Sequence, residues 1–332
     1  MKTTAVLGAG SWGTALAVHL AKAGHHVRLW ARDGAFVEEL RSTRANERYL
    51  PGIPLPNSIV PTASLEEALT AARFVVVAVP SHGFRAVVRR ATPFLDEAVL
   101  VSATKGIEVD SLQRMSQVIE SETAGCCRVV VLSGPSFALE TAQGLPTAVL
   151  AASTDEKAAA AVQEHFRGQG LRLYVNDDVA GVEIGGALKN VIAIAAGVTE
   201  GLGLGQNALA ALITRGLAEI SRLALAEGGR RDTLAGLSGL GDLVLTCTGS
   251  LSRNRQVGMA LGRGRSLDEI LSSTRMVAEG VRTTPAALAL GARHGIELPI
   301  ASQMQAVLDG QCSPSDAVET LMLRRQRAEV DG

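Results

Sequence analysis

The sequence predicts an α/β fold, with a doubly wound parallel sheet over residues 1–178 and an all-helical domain over residues 179–332. Three observations predict it. Short apolar β runs alternate with helical stretches through the first half. A glycine-rich turn joins the first β run to the first helix. After about Asp178 the β runs stop and only helical spacing continues. Strand–helix alternation with both sheet faces covered is the pattern of a Rossmann-type sheet.

The β runs are TTAVLG, HVRLW, RFVVVAVP, AVLVSATKG, RVVVLSGPS, TAVLAAS and, last, LRLYVNDD from Leu171 to Asp178. They are nearly continuous in apolar residues, as strands buried on both faces are. Helical stretches fall between them, for example Gly13 to Ala23 and Leu65 to Ala71. In the second half, Leu209, Leu212, Ile213, Leu217, Ile220, Leu223 and Ala224 recur at helical spacing on one stripe. Ser266 to Leu271, Thr284 to His294 and Ser315 to Arg327 read as further helices. No internal repeat or low-complexity linker interrupts them.

Composition narrows the function classes. The 332 residues are 47% hydrophobic and 20% charged, enough for two cored domains. A net charge of −1 gives no basic field for nucleic acid, so an anionic ligand must be held by local donors. Cys126, Cys127, Cys247 and Cys312 have no metal-ligand spacing, which suggests a reducing compartment and no metal site. The opening MKTTAVLGAGSWG has glycines at fixed offsets and reads as a cytosolic first strand and helix, not a signal peptide. No stretch of about 18 residues is continuously apolar, so no membrane span is expected.

GAGSWG, from Gly8 to Gly13, is a GxGxxG motif directly between a strand and a helix. Gly8 allows the tight turn, Gly10 lets backbone approach a pyrophosphate, and Gly13 lets helix and strand pack closely. Free N–H groups at the helix start favour the phosphates. Dinucleotide binding is the expectation, against a purely structural turn. After the second strand the run is Ala31, Arg32, Asp33. Arg32 pairing with a 2′-phosphate favours NADPH; the alternative is NADH, with Asp33 on the ribose. Ligands in such sheets lie beyond the carboxyl ends of strands. Polar residues stand there: Pro80 and Ser81; Thr104, Lys105 and Gly106; Ser133, Gly134, Pro135 and Ser136.

GGALKNVIAIAAG, from Gly185 to Gly197, is apolar except for Lys189 and Asn190. On a helix the neighbours of Lys189 are Gly185, Gly186, Ile192, Ala193 and Ala196. Such a small-residue face serves either close helix packing, with the lysine reaching solvent, or a pocket. In a pocket, desolvation lowers the lysine pKa toward the range of proton transfer. GLSGLGDLVLTCTGSLSRNRQVG then sets Asp242 among glycines and supplies Ser252, Arg253, Asn254 and Arg255 before a helical pattern. These donors suit a phosphate, and equally a capped loop. Cys247 raises a thiol nucleophile, disfavoured by its apolar run and the absence of a nearby histidine.

With these segments together, the chain resembles the bacterial-type NAD(P)-dependent glycerol-3-phosphate dehydrogenases from end to end. The segments are GAGSWGTALA, NERYLPG, SATKGIE, GPSFA, GGALKNVIAIAAG, ALITRGLAEI, GLGDLVLTCT, SRNR and MVAEG, in the family's order. The resemblance implies reduction of dihydroxyacetone phosphate to sn-glycerol 3-phosphate and the reverse, supplying a phospholipid backbone. It implies Lys189 as proton donor and acceptor, with Lys105, Gly134, Ser136, Asp242, Ser252, Arg253 and Asn254 around the substrate. It further implies cofactor contacts from Ser11, Trp12, Arg32, Tyr49, Lys105, Ala138, Arg253, Val277 and Glu279, and a homodimer formed through the helical domain. Gln206 and Leu209 depart from the family pattern, where Asp and Lys are common; Leu139 and PIASQM, from Pro299 to Met304, depart as well.

The expected chemistry is hydride transfer at the substrate's central carbon, with Lys189 exchanging the proton and Asp242 holding the lysine or a hydroxyl. Arg253 and Asn254 are expected on the phosphate. A dehydrogenase of β-hydroxy acids or sugar nucleotides would share the first domain but not need SRNR. A nicotinamide-sensing regulator would need a nucleic-acid or partner module, and no such signature is present.

Overall fold

The computed structural model describes residues 3–272, 278–326 and 328. Val277 and Arg327 lie outside them, and the helix expected to reach Arg327 already ends at Met322. The described strands are β1 (Thr3–Leu7), β2 (His26–Trp30), β3 (Ala45–Asn46), β4 (Leu50–Pro54), β5 (Ile59–Thr62), β6 (Phe74–Val77), β7 (Val99–Ser102), β8 (Arg128–Ser133), β9 (Thr147–Ala152) and β10 (Leu171–Asn176). Among them run α1 (Ser11–Lys22), α2 (Gly34–Thr43), α3 (Leu65–Leu69), α4 (Ser81–Ala91), α5 (Met115–Thr123), α6 (Ala138–Gln143) and α7 (Glu156–His165). Only helices follow: α8 (Val179–Gly201), α9 (Gly205–Ala226), α10 (Arg231–Ala235), α11 (Asp242–Thr248), α12 (Arg253–Gly262), α13 (Leu267–Ser272), α14 (Glu279–Arg293), α15 (Pro299–Leu308) and α16 (Pro314–Met322).

Eight strands form one sheet in the order β10-β9-β8-β7-β6-β1-β2-β5. Successive residues of a strand point to opposite faces, and both faces carry a core. Val6, Val76, Val101 and Val130 join one apolar cluster; Ala5, Leu7, Val75, Val77 and Leu100 join the other. That double burial is why the central strands read as unbroken apolar runs. β10, at the edge, instead alternates buried and exposed residues along most of its length.

The sheet is parallel except where β9 runs antiparallel to β8. This departs from the all-parallel expectation: after the six-residue α6 the chain re-enters the sheet from the same end at which β8 left it.

β5 and the small β3–β4 ribbon were not expected. IVPT and LPGIP carry prolines and a glycine, which count against strands when read locally. β5 is tolerated because it is the outer strand. The helix expected from Thr284 begins at Glu279, with Pro285 inside it. Pro285 looks like a helix start, because a first-turn proline forfeits no hydrogen bond.

The helical half is built around α8. Its 23 residues are buried almost throughout. Among the described residues it is the one helix long and apolar enough to cross a membrane, and 89% of its apolar window is buried inside the fold. Its apolarity serves packing on every side. Gly197 faces Arg255 O, and Gly258 of α12 faces Ile194 O, so closely that an added Cβ would stand 2.0 and 1.9 Å away.

Candidate active site

β1 sits between β2 and β6, and the chain winds away from it in both directions. The crevice at that switch point is where such sheets take ligands. Gly8 there has φ +117°, and a Cβ on it would stand 2.6 Å from Ala78 O. A Cβ on Gly13 would stand 1.9 Å from Gly8 O, whereas one on Gly10 meets nothing within 4 Å. The protein itself therefore requires Gly8 and Gly13, while Gly10 opens a clear approach. α1 begins at Ser11 with no side-chain cap, so its first N–H groups face that approach. Free donors, an open glycine and a helix start together fit a pyrophosphate.

Asn46, which sequence reasoning missed, holds this turn. It is buried, donates to Ala9 O at 2.9 Å and Thr14 Oγ1 at 2.7 Å, and accepts from Tyr49 N at 3.1 Å. Ser11 Oγ donates to Tyr49 O at 2.6 Å, so its hydroxyl is held within the protein and its backbone N–H is left for a ligand. Trp12, Tyr49 and Ala138 pack partly buried on the adjoining core. Asp33 caps α2 by accepting from Ala35 N at 3.0 Å. Arg32 is exposed, and its guanidinium has no hydrogen-bond or ion-pair partner among the described residues.

Lys189 does not reach solvent. It is 7% exposed, and Asp242 is 0% exposed. Lys189 Nζ donates to Asp242 Oδ1, and to Thr246 Oγ1 at 2.9 Å. Asp242 opens α11 after a wide helical turn at Leu237–Gly241, and Thr246 lies one turn further on the same helix. From the sheet side, Lys105 Nζ donates to Asp242 Oδ2 at 2.6 Å and to Gly134 O at 2.9 Å. Ser136 Oγ donates to the same Gly134 carbonyl at 3.1 Å. Gly134 has φ +144°, a region few side chains tolerate. Two ammonium groups thus share one buried carboxylate.

Burial pushes the Lys189 ammonium down to about 7, with Lys105 adding to the fall and Asp242 opposing it. Both protonation states are then within reach near neutral pH. The small residues around Lys189 are filled by protein: Gly185 faces Ser238 O, and Gly186 faces Ser133 Oγ and the stem of Lys105. Cys247 is buried with its thiol pushed up to about 12 by desolvation, which leaves it inert as a nucleophile.

The third wall comes from α12 and α14. Ser252 is buried and caps α12, accepting from Arg255 N at 3.3 Å. Asn254 Nδ2 donates to Asn190 Oδ1 at 2.9 Å, and Asn254 Oδ1 accepts from Gly280 N at 2.9 Å. Asn190 adjoins Lys189, so this pair ties α12 and α14 to the lysine. Glu279 then crosses to the sheet half and accepts from Ser81 N at 3.0 Å and Ser81 Oγ at 2.6 Å. Arg253 is exposed in area, but the surrounding protein lowers its guanidinium below the ordinary value, with Glu279 opposing. It makes no hydrogen bond to the described residues, which leaves its planar donors available to a ligand.

Asn190 and Thr246 were also missed. Thr246 was legible only once Asp242 to Thr248 was known to be helical. Two of the sequence departures, Gln206 and Leu209, line a separate cleft of about 350 Å³ with Glu200 and Arg255.

Comparison with known proteins gives the same picture along the whole chain. Residues 3–159 match the model of the NAD-dependent glycerol-3-phosphate dehydrogenase N-terminus, and residues 178–319 match that of its C-terminus. The glycerol-3-phosphate dehydrogenase [NAD(P)+] of Koribacter versatilis is 52% identical over 335 residues, covering 99% of both chains. The corresponding protein of Geobacter sulfurreducens is 53% identical over 329 residues, covering 98% of both. The crystal structure of glycerol-3-phosphate dehydrogenase from Coxiella burnetii superposes with a TM-score of 0.94 at 42% identity, covering 97% of this chain and 99% of that one. The chain belongs to the NAD-dependent glycerol-3-phosphate dehydrogenase family.

Proposed function

We propose that the chain interconverts dihydroxyacetone phosphate and sn-glycerol 3-phosphate with NADPH or NADH, and that Lys189 is the residue that moves the proton. One observation carries the reading: a buried lysine, lowered to about 7, on a carboxylate shared with Lys105, between a dinucleotide turn and Arg253. When bound, the dinucleotide supplies or takes the hydride at the substrate's central carbon. Lys189 gives its proton to the oxygen of that carbon during reduction and takes it back during oxidation. Asp242 aims Lys189 and balances its charge. Lys105 balances the second carboxylate oxygen and is available to the substrate. Arg253 suits the substrate phosphate through two parallel N–H donors. Ser252 and Asn254 act by fixing the start of α12, on which Arg253 stands. Gly134 and Ser136 form the opposite wall.

Ser11, Trp12, Tyr49, Ala138 and Glu279 suit the cofactor side together with the glycine turn, and Arg32 suits the 2′-phosphate of NADPH. The division into a dinucleotide half up to residue 178 and a helical half from 179 follows the end of β10 and the start of α8. A cytoplasmic homodimer formed through the helical half, supplying glycerol 3-phosphate for phospholipids, completes the reading.

Initial rates with dihydroxyacetone phosphate, following NADPH and NADH separately, test the activity. Lys189→Met keeps the length and removes the proton. We expect kcat to fall about a hundredfold or more, the scale of a lost general acid, with cofactor affinity and melting temperature retained. Near-normal turnover in a folded Lys189→Met protein rejects the assignment.

A further inference from the structure

Glu183, two turns before Lys189 on α8, is buried in contact with the opposite half of the molecule. Its Oε1 accepts from Ser116 N at 2.8 Å. Its Oε2 accepts from Ser116 Oγ at 2.5 Å and Arg114 Nη1 at 2.6 Å. Burial raises this carboxyl above its ordinary range, with Arg114 and Ser116 opposing. A buried carboxylate held this way is costly, and breaking one partner is costlier still.

Arg114 closes the loop that begins at Lys105. Ile107 and Arg114 form an antiparallel bridge, and Glu108 N donates to Gln113 O at 3.0 Å. The loop is a closed hairpin with Lys105 at its start and the Glu183 contact at its end. Lys105 then crosses α8 over Gly186, where an added Cβ would come within 3.7 Å of Lys105 Cγ. Its Nζ reaches Asp242. Glu183, Gly186 and Lys189 follow one another along α8 at about one turn each, and the hairpin is fastened beside the first of them.

We propose that Glu183 is a positioning residue for proton transfer: by holding Arg114 and Ser116 it fixes the Lys105 hairpin on α8 and keeps the Lys105 ammonium on Asp242, beside Lys189. This rests on Lys189 as the proton-exchanging group and adds how its environment is set. The charges facing Lys189 are Asp242 and Lys105, with the un-ionised Cys247 thiol beside them on α11. Arg114 also approaches Glu227, which in turn meets His294, so the fastening point is anchored in the helical half. If the hairpin loosens, a cation leaves the carboxylate that Lys189 shares. Lys189 then holds its proton to higher pH.

The test is the pH profile of kcat/KM for glycerol 3-phosphate oxidation, which needs Lys189 unprotonated and so rises through its pKa. In Glu183→Gln we expect that limb to move up by about one pH unit, the scale of shifting one charge a few ångströms at an effective dielectric near 20. Cofactor affinity should stay at the wild-type value, because the Gly8–Gly13 turn is untouched. Lys105→Met should move the limb the same way, and adding Glu183→Gln to it should move it no further. The double variant Glu183→Gln/Arg114→Met leaves no orphan buried charge, keeps the fold if the single variant unfolds, and should show the shifted limb. A limb at its wild-type position in either folded Glu183 variant overturns the proposal and leaves Glu183 a structural residue. A fully active Lys189→Met protein rejects the proton assignment itself, a separate result that removes the ground for this proposal too.

Discussion

Arg32 and Arg253 are two guanidinium groups for which the fold supplies no hydrogen-bonding partner among the described residues. Other arginines are tied up by carboxylates: Arg85 holds Glu108 and Glu122, and Arg114 holds Glu183. An arginine left with its donors outward at the rim of a dinucleotide crevice is placed for an anion. Arg32 also follows β2, at whose end the adenine ribose binds in folds of this type. Arg32→Ala should raise KM for NADPH roughly tenfold to a hundredfold, the equivalent of one charge-assisted pair. KM for NADH, which lacks the 2′-phosphate, should change little. Steady-state kinetics with both cofactors decide it, and equal effects on the two would show that Arg32 does not read the phosphate. Asp33, the alternative reader, already spends one oxygen on the start of α2.

At the scale of elements, glycines divide into those the protein itself needs and those that leave open space beside the turn. Gly13→Ala drives a methyl into Gly8 O, since the ideal Cβ stands 1.9 Å away. We expect a loss of about 3 kcal/mol, the upper end of ordinary overpacking, seen as a lower melting temperature without cofactor. Gly10→Ala meets no protein atom within 4 Å. It should melt as wild type when free yet lose most of the stabilisation that NADPH confers, a contrast read directly from melts with and without cofactor. Both glycines were legible in GAGSWG because strand, turn and helix are contiguous in sequence. Lys189 was legible as a polar residue in apolar surroundings, and Asp242 only as an acid among glycines whose role the family resemblance supplied. Asn46, Asn190, Thr246 and Glu183 were not, because their meaning lies in partners far along the chain: Asn46 bonds Ala9, Asn190 bonds Asn254, and Glu183 bonds Ser116. β5 was hidden for a related reason. A proline-bearing edge strand is identified by its neighbour β2, not by its own residues.

Across the whole molecule, buried titrating groups pull stability in opposite directions as pH changes. Glu183 and Glu219 are both raised by burial; Glu219 caps α15 by accepting from Ile300 N and Ala301 N at 2.9 Å each. A raised carboxyl takes up its proton more readily folded than unfolded, so these two add stability as pH falls. His19 acts the other way. It is buried on α1, and its Nε2–H donates to Phe166 O at 2.8 Å, joining α1 to the end of α7. Burial lowers its pKa from 6.5, helped by the nearby His25 and Lys22 and opposed by the Phe166 carbonyl. The neutral ring is the form that fits. Below about 6.5 the unfolded chain binds a proton there that the folded chain still refuses, so His19 withdraws stability as pH falls from 6.5 toward its folded pKa. A single melting curve mixes these contributions, and a difference between two proteins separates them. His19→Gln keeps a donor for Phe166 O and removes the titration. Measured at a series of pH values from 8 to 5, its melting temperature should differ from wild type by a constant amount above pH 7. Below pH 6.5 the variant should gain steadily on wild type. A difference that stays flat through that range would show that His19 does not couple folding to pH.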